Sequence, residues 1–360
     1  MGNKVMVAMS GGVDSSVAAL LLKEQNYDLC GVTLKLFADE DKDTSCSTRT
    51  CCSLEDVEDA RRICYKLGME HFVFNFKDTF RDEVMNKFAR SYEIGDTPNP
   101  CVDCNKFIKF SKLIQRAVLM KKDYIATGHY ARIEYDNASK RYLLKKAVDL
   151  SKDQSYVLYV LTQDDLSRTL FPLGGMYKSE AREIAEEKGL INARKPDSQD
   201  ICFVKDGDYA GFLEKSMGVD SPKGNFIDLN GKVLGKHNGI IHYTIGQRKG
   251  LGMAFGKPTF VISKNKEDNT VTLGSNEDLF SDKLYADNIN LIAIEKLNSP
   301  MKVMVKTRYK QNESEATIIP INEDKILVEF KEKQRAITPG QAVVFYKDDV
   351  VIGGGTITSK

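Results

Sequence analysis

KVMVAMSGGVDSSVAALLLKE, residues 4–24, decides the fold. Its first six residues form a short apolar run, as a strand buried in a parallel sheet would. SGGVDSS follows, and VAALLLKEQ then takes up a helical pattern. Working outward, LCGVTLKLF (29–37), HFVFNF (71–76) and DYIATGH (123–129) read as further strands, and FIKFSKLIQRAVLMKK (107–122) reads as a helix. Ser53 opens SLED, a capping-box-like helix start, after which Leu54, Val57, Ala60, Cys64 and Leu67 fall on one helical face. Strands separated by helical crossovers imply a parallel α/β sheet.

The pattern changes near residue 205. From there to about residue 280 the chain is glycine-rich with short segments. Beyond it, NINLIAI, KVMVKTRY, EATIIPI, KILVEF, QAVVFY and VVIGGGTI read as strands separated by turns, the pattern of a small antiparallel barrel or sandwich. The expected architecture is α/β: a parallel-sheet nucleotide-binding domain at 1–205, a small central domain at 206–279 and a C-terminal antiparallel β-barrel-like domain at 280–360.

A chain of 360 residues exceeds one ordinary core, in keeping with two or three domains. Hydrophobic content of 42% and charged content of 29% are those of a globular protein. No apolar run approaches the ~20 residues of a membrane helix. The N-terminus passes into the glycine turn without the apolar core of a signal peptide, so a cytoplasmic location and no membrane partner are expected. In that reducing compartment the eight cysteines are expected to be thiols, redox centres or metal ligands rather than structural disulfides. A net charge of +1 requires any nucleic-acid surface to concentrate its basic residues locally.

In Ser10-Gly11-Gly12-Val13-Asp14-Ser15-Ser16 two glycines let backbone approach a ligand closely. The hydroxyls and the first N–H groups of the helix are suited to phosphate oxygens. No lysine follows the glycines as in a Walker loop. An aspartate facing phosphates fits a carboxylate that helps hold Mg²⁺, a hard cation preferring oxygen. The string resembles the SGGxDS signature of the pyrophosphate-loop (PP-loop) ATPases, which implies cleavage of ATP to AMP and pyrophosphate.

Cys101 and Cys104 form a C-x-x-C behind Asn99-Pro100, and Cys202 stands alone in DSQDICFV. A closed zinc site wants four ligands, and His71, His129, His237 and His242 show no ligand spacing, so structural zinc is a poor fit. NPCVDCNKFIKF also reads as a helix start, and the first turn of a helix favours a thiolate. Cys30 and Cys64 fall in apolar patterns and are expected in the core, whereas Cys46, Cys51 and Cys52 occupy a polar stretch.

With SGGVDSS, TPNPCVDCNKFIKF, ATGHYAR, KDQSYVL, KPDSQDICFV and YTIGQRKGLG in this order, the chain resembles the bacterial tRNA-specific 2-thiouridylases over its full length. The resemblance implies ATP-dependent conversion of a tRNA wobble uridine to 2-thiouridine. It implies that Ala8, Met9, Ser10, Gly11, Gly12, Val13, Asp14 and Ser15 hold ATP, with Leu34 and Gly128 at the adenosine. Cys104 would be the nucleophile and Cys202 the persulfide carrier. Asn99, Pro100 and Cys101 would lie against the target base, and His129, Lys152, Asp153, Gln154, Arg308, Tyr309 and Gln341 would touch the tRNA anticodon loop. The implied sulfur donor is a cysteine desulfurase or a sulfur relay protein. Many members carry Asp where this chain has Cys101. That departure leaves a second expectation beside the bare dithiol, a [4Fe–4S] cluster on Cys101, Cys104 and Cys202. Two other classes compete: a PP-loop ligase acting on a small molecule, which would not need Cys104 or Cys202, and an RNA chaperone with a vestigial nucleotide pocket, in which Asp14→Ala would be silent.

Overall fold

β1 (Lys4–Ala8) runs into α1 (Val13–Glu24), and β2 (Asp28–Lys35), α2 (Leu54–Lys66), β3 (Glu70–Asn75) and β4 (Tyr124–Ala126) follow. A hairpin of β5 (Arg132–Asp136) and β6 (Arg141–Lys145) leaves after β4 before β7 (Thr169–Leu170) returns. β1, β2, β3, β4 and β7 pair in parallel in the order β3-β2-β1-β4-β7. β1 is covered on both faces: Met6 enters one apolar core, while Val5 and Val7 enter the core on the other side. The computed structural model describes residues 3–36, 54–197, 201–204 and 207–359. Cys46, Cys51, Cys52, the Ser53 cap and the boundary placed at 205/206 lie outside the described residues.

Two crossover segments are long. Residues 77–93 form one continuous helical run, and residues 100–119 form another that takes wider π-type turns over Cys104–Lys112. On α2 the buried face is Asp56, Ala60, Ile63 and Cys64, whereas Leu54 is 66% exposed. The stripe expected from sequence is therefore rotated, and Asp56 is turned inward for a reason given below. Cys30 and Cys64 are buried as expected. Burial raises both thiols, Cys64 to about 12, so they are inert packing groups.

The central region forms a four-stranded mixed sheet of β8 (Gly224–Ile227), β9 (Val233–His237), β10 (Phe260–Asn265) and β11 (Thr270–Gly274), in the order β10-β11-β8-β9. Its core includes Phe226, Val261, Val271 and Leu273, and it takes in Phe88, Ala89 and Tyr92 from the 77–93 helix of the first domain.

β12 (Phe280–Leu291), β13 (Met301–Lys306), β14 (Ser314–Pro320), β15 (Ile326–Arg335), β16 (Ala342–Lys347) and β17 (Val350–Thr358) pair antiparallel, and β17 returns to β12 to close a six-stranded barrel. Alternate residues fill it: Leu284 and Ala286, Val303 and Val305, Ile326 and Val328. β16 is apolar on both sides. Val343 and Phe345 point into the barrel, while Ala342, Val344 and Tyr346 join the core of the first domain with Tyr156 and Leu158. The expected fold class, parallel α/β followed by a small domain and an antiparallel barrel, holds. The β5–β6 hairpin is an element that the sequence reading did not name. It reaches the barrel through β6, where Lys145 pairs with Val350. Among the described residues no helix is long and apolar enough to cross a membrane.

At Gly354 on β17 the first domain packs closely on the barrel, since a Cβ there would lie 2.6 Å from both the Tyr159 ring and the Val343 carbonyl. Gly354→Ala is expected to destabilise the protein by about 1–3 kcal/mol, the usual cost of overpacking, read as a lower urea midpoint. An unchanged midpoint would show that the interface yields.

Candidate active site

A parallel sheet gathers functional loops at one edge, because every crossover helix starts at the carboxyl ends of the strands. Here that edge carries the 9–12 loop after β1, the Thr127–His129 turn after β4 and the segment after β7 that leads to the Lys178–Glu187 helix, whereas the 100–119 helix follows the 77–93 run rather than a strand. β1 lies between β2 and β4, so the first loop opens at the point where the strand order reverses.

The loop is held by its own hydroxyls. Ser15 Oγ donates to the Gly12 carbonyl (3.0 Å) and accepts from the Ser10 N–H (3.2 Å), while Ser16 Oγ donates to the same carbonyl (3.2 Å). Gly11 has φ +74°, and a Cβ there would strike the backbone of Asp56 at the start of α2. A Cβ at Gly128 would lie 2.8 Å from the Asp14 carbonyl carbon and the Ser15 nitrogen. The β4 turn is thus seated against the loop backbone. Met9 is buried beneath the loop, its carbonyl accepting from Thr33 Oγ1 (2.8 Å), and Leu34 is buried at the same end of β2.

Charged residues outside the sequence-derived set surround the loop. Asp14 accepts from Tyr130 Oη (2.8 Å) and from Lys178 Nζ through both oxygens (2.6 and 2.7 Å). Asp197 accepts from Lys178 (2.9 Å), Lys152 (2.9 Å) and Arg182 (2.8 Å). Burial pushes the Asp197 carboxyl up, but Lys152 and Lys178 outweigh it and hold it at about 2. On the other flank Lys195 Nζ donates to Asp56 (2.6 Å), Asp59 (2.8 Å) and the Gly11 carbonyl (3.3 Å), and Asn192 Nδ2 bonds the same carbonyl (3.0 Å). These contacts turn Asp56 inward. Tyr130, Lys195 and Asp197 stand in two of the motifs that carry the resemblance, ATGHYAR and KPDSQDICFV, whereas Lys178 stands in none.

The C-x-x-C opens its helix as NPCVDC suggests. Asn99 is the N-cap, and its Oδ1 accepts from the Cys101 N–H (3.1 Å), with Pro100 in the first turn. Cys101 is exposed and Cys104 is buried, and Cys202 is half-buried against the core cluster that contains Cys104. A cavity of about 360 Å³ borders this helix start, lined among others by Lys87, Arg90, Asn99, Asp103 and Tyr159. Burial raises the Asp103 carboxyl to about 6 against the pull of Lys87 and Lys106. Among the described residues no three His, Cys, Asp or Glu side chains gather as metal ligands.

The remaining candidates divide. Gln341 donates to the Thr97 carbonyl (2.6 Å), two residues before the N-cap. Tyr309 packs 6.0 Å from the Tyr156 ring, and its phenol is pushed up to about 12, chiefly by burial and further by the Asp153 and Cys101 charges. These residues converge on the C-x-x-C. Arg308 Nη2 is spent on the carbonyls of Ile245 (3.2 Å) and Ala336 (2.9 Å) and on Thr338 Oγ1 (2.7 Å). Asp153 is buried, accepting from the Ala147 N–H and from Ser155, and Gln154 Oε1 accepts from the Tyr130 N–H. His129 is 8% exposed and packs among Phe110 and Phe171. Burial and Lys109 hold its ring neutral.

Three family models match the chain: a tRNA methyl transferase HUP domain over residues 3–206, a tRNA methyl transferase PRC-barrel domain over 210–275 and an aminomethyltransferase β-barrel domain over 281–357. The chain is 52% identical to a protein named tRNA-specific 2-thiouridylase MnmA 1 from Thermoanaerobacter pseudethanolicus, over 99% of this chain and 98% of that one. It is 51% identical to tRNA-specific 2-thiouridylase MnmA of Lachnoclostridium phytofermentans, over 98% and 99% of the two chains. It is 52% identical to the MnmA of Clostridioides difficile, over 99% and 98%.

Gly128→Ala drives a methyl group into the loop backbone. It is expected to weaken ATP binding about tenfold and, as at Gly354, to lower the thermal midpoint through overpacking. Unaltered ATP affinity would place the nucleotide elsewhere.

Proposed function

The chain belongs to the bacterial tRNA-specific 2-thiouridylases, and on that premise we propose that it thiolates C2 of the wobble uridine by adenylation followed by cysteine-borne sulfur transfer. It is an enzyme, a tRNA-uridine 2-sulfurtransferase that acts on tRNA. The observations that support the mechanistic reading are the SGGVDSS loop at the carboxyl end of β1 and Cys202 packed against the core cluster that contains Cys104.

A uracil carbonyl oxygen is a poor leaving group. Attack of O2 on the α-phosphorus of ATP breaks the α–β phosphoanhydride, releases pyrophosphate and turns that oxygen into part of AMP. The 9–15 loop, through its N–H groups and hydroxyls, binds the phosphates, and Asp14 is the oxygen ligand suited to Mg²⁺. The terminal sulfur of a Cys202 persulfide then attacks C2 and expels AMP. The Cys104 thiolate attacks the inner sulfur, leaving a thiocarbonyl on the base and a Cys104–Cys202 disulfide that an external reductant reopens. Neither cysteine generates the sulfane sulfur, so a persulfide donor of the cysteine-desulfurase or relay type loads Cys202.

A base whose C2 is to be attacked must leave its stack. We place the anticodon loop in the cleft between the first domain and the barrel, where Asn99, Pro100, Tyr309 and Gln341 meet. Arg308, which ties the barrel to the central domain, shapes that cleft.

The test uses protein purified without oxygen, unmodified tRNA, ATP and a small-molecule persulfide donor, with iron and acid-labile sulfide measured on the same sample. Thiolation by iron-free protein is expected, together with loss of at least about a thousandfold in Cys104→Ser and Cys202→Ser, as for removal of a covalent participant. Cys101→Ser is expected to retain more activity than either. Activity that tracks iron and fails equally in all three variants would favour the cluster instead. Arg308→Ala is expected to weaken tRNA binding, measured at several salt concentrations, and unchanged affinity would remove the barrel from the RNA site.

A further inference from the structure

We propose that Lys178 is a pyrophosphate-binding residue that exchanges partners during turnover, from the Asp14 carboxylate to the leaving group. The inference rests on the reading that ATP occupies the SGGVDSS loop.

Lys178 opens the Lys178–Glu187 helix, its own N–H fixed on Asp149 Oδ2 (3.1 Å). Its side chain is only 8% exposed, and its Nζ lies on both oxygens of Asp14 and on Asp197. Removing a buried ammonium's partner leaves an uncompensated charge, which is strongly unfavourable. Asp14 would be the loop carboxylate that helps hold Mg²⁺. An Asp14 carboxylate so engaged would give up Lys178, and the β- and γ-phosphates of a nucleotide in the loop would be its replacement anions. Lys152, Lys178 and Arg182 all meet at Asp197, and Lys178 is the one of the three that also reaches Asp14 on the loop.

Lys195 supplies the contrast. It stands beside Gly11 with a largely covered side chain, but its two carboxylates, Asp56 and Asp59, both lie on α2 rather than on the loop. Filling the loop leaves that pairing intact, so Lys195 holds structure while Lys178 responds to the ligand. In the adenylation step the bond between the α-phosphorus and the bridging oxygen breaks, and its electrons pass to the β-phosphate. Lys178 then neutralises charge that grows as the pyrophosphate departs, with no proton transfer required.

Calorimetric titration of the full-length protein with inorganic pyrophosphate plus Mg²⁺, and separately with AMP, tests the assignment. Lys178→Met is expected to bind pyrophosphate at least about tenfold more weakly, as loss of one charge-assisted contact implies, with AMP affinity within about twofold of wild type. Lys178→Arg is expected to recover most of the loss. In Mg²⁺-free buffer, Asp14→Asn is expected to bind pyrophosphate at least about threefold more tightly than wild type, because the competing carboxylate is gone. Unchanged pyrophosphate affinity in Lys178→Met, an equal loss for AMP, or no gain in Asp14→Asn overturns the exchange. Wild-type protein that binds neither AMP nor pyrophosphate overturns the nucleotide reading itself.

Discussion

Thr97 is clasped to the C-terminal barrel on both sides of its peptide chain. Its N–H donates to the Pro339 carbonyl (3.0 Å) and its carbonyl accepts from Gln341 (2.6 Å). Gly340 makes room for this contact: at φ +86° it presents bare backbone where a Cβ would lie 3.0 Å from the Thr97 nitrogen. Two residues later Asn99 caps the helix that bears Cys101 and Cys104. The helix start that bears Cys101 and Cys104 is therefore tied to a barrel that contributes no cysteine. The shared core of Tyr156, Ala342, Val344 and Tyr346 gives that clasp its rigidity. Tyr156 Oη donates to the Ala342 carbonyl (2.8 Å) within it.

The nucleotide side is organised by charge rather than by packing. Two lysine–carboxylate arrays flank the loop, one anchored on α2 and one reaching from Asp14 to Asp197. Asp197 also holds Lys152, whose neighbours Asp153 and Gln154 are knit into the backbone around Tyr130. The phosphate loop, the 152–154 segment and the Lys178–Glu187 helix are thus linked through short ionic contacts that meet at Asp197.

The architecture was legible where periodicity is strong. A continuous apolar β1, the Gly-Gly turn and the alternating barrel strands follow from local pattern. The α2 stripe misled because Leu54 and Asp56 exchange the positions that hydrophobicity assigns them: Lys195, 139 residues away, supplies the cation that makes a buried aspartate favourable. Lys178 was illegible for the same reason. Nothing in MYKSEAREIA distinguishes it from an exposed helix lysine, and only the topology brings it to Asp14. Cys101 and Cys104 were legible because both the cap and the chemistry lie within eight residues, NPCVDCNK. Their distance in sequence from Cys202 is closed by the shared core, which no local pattern encodes.

The helix at residues 77–93 sends Phe80 and Val84 into the core of the first domain and Phe88, Ala89 and Tyr92 into that of the central one. A helix with two owners cannot be inherited by either alone. Cutting the chain between the domains would strip the central sheet of aromatic side chains that complete it and leave them bare on the first domain. The first and central domains are therefore joined mechanically, since separation at their border would open a core on each side.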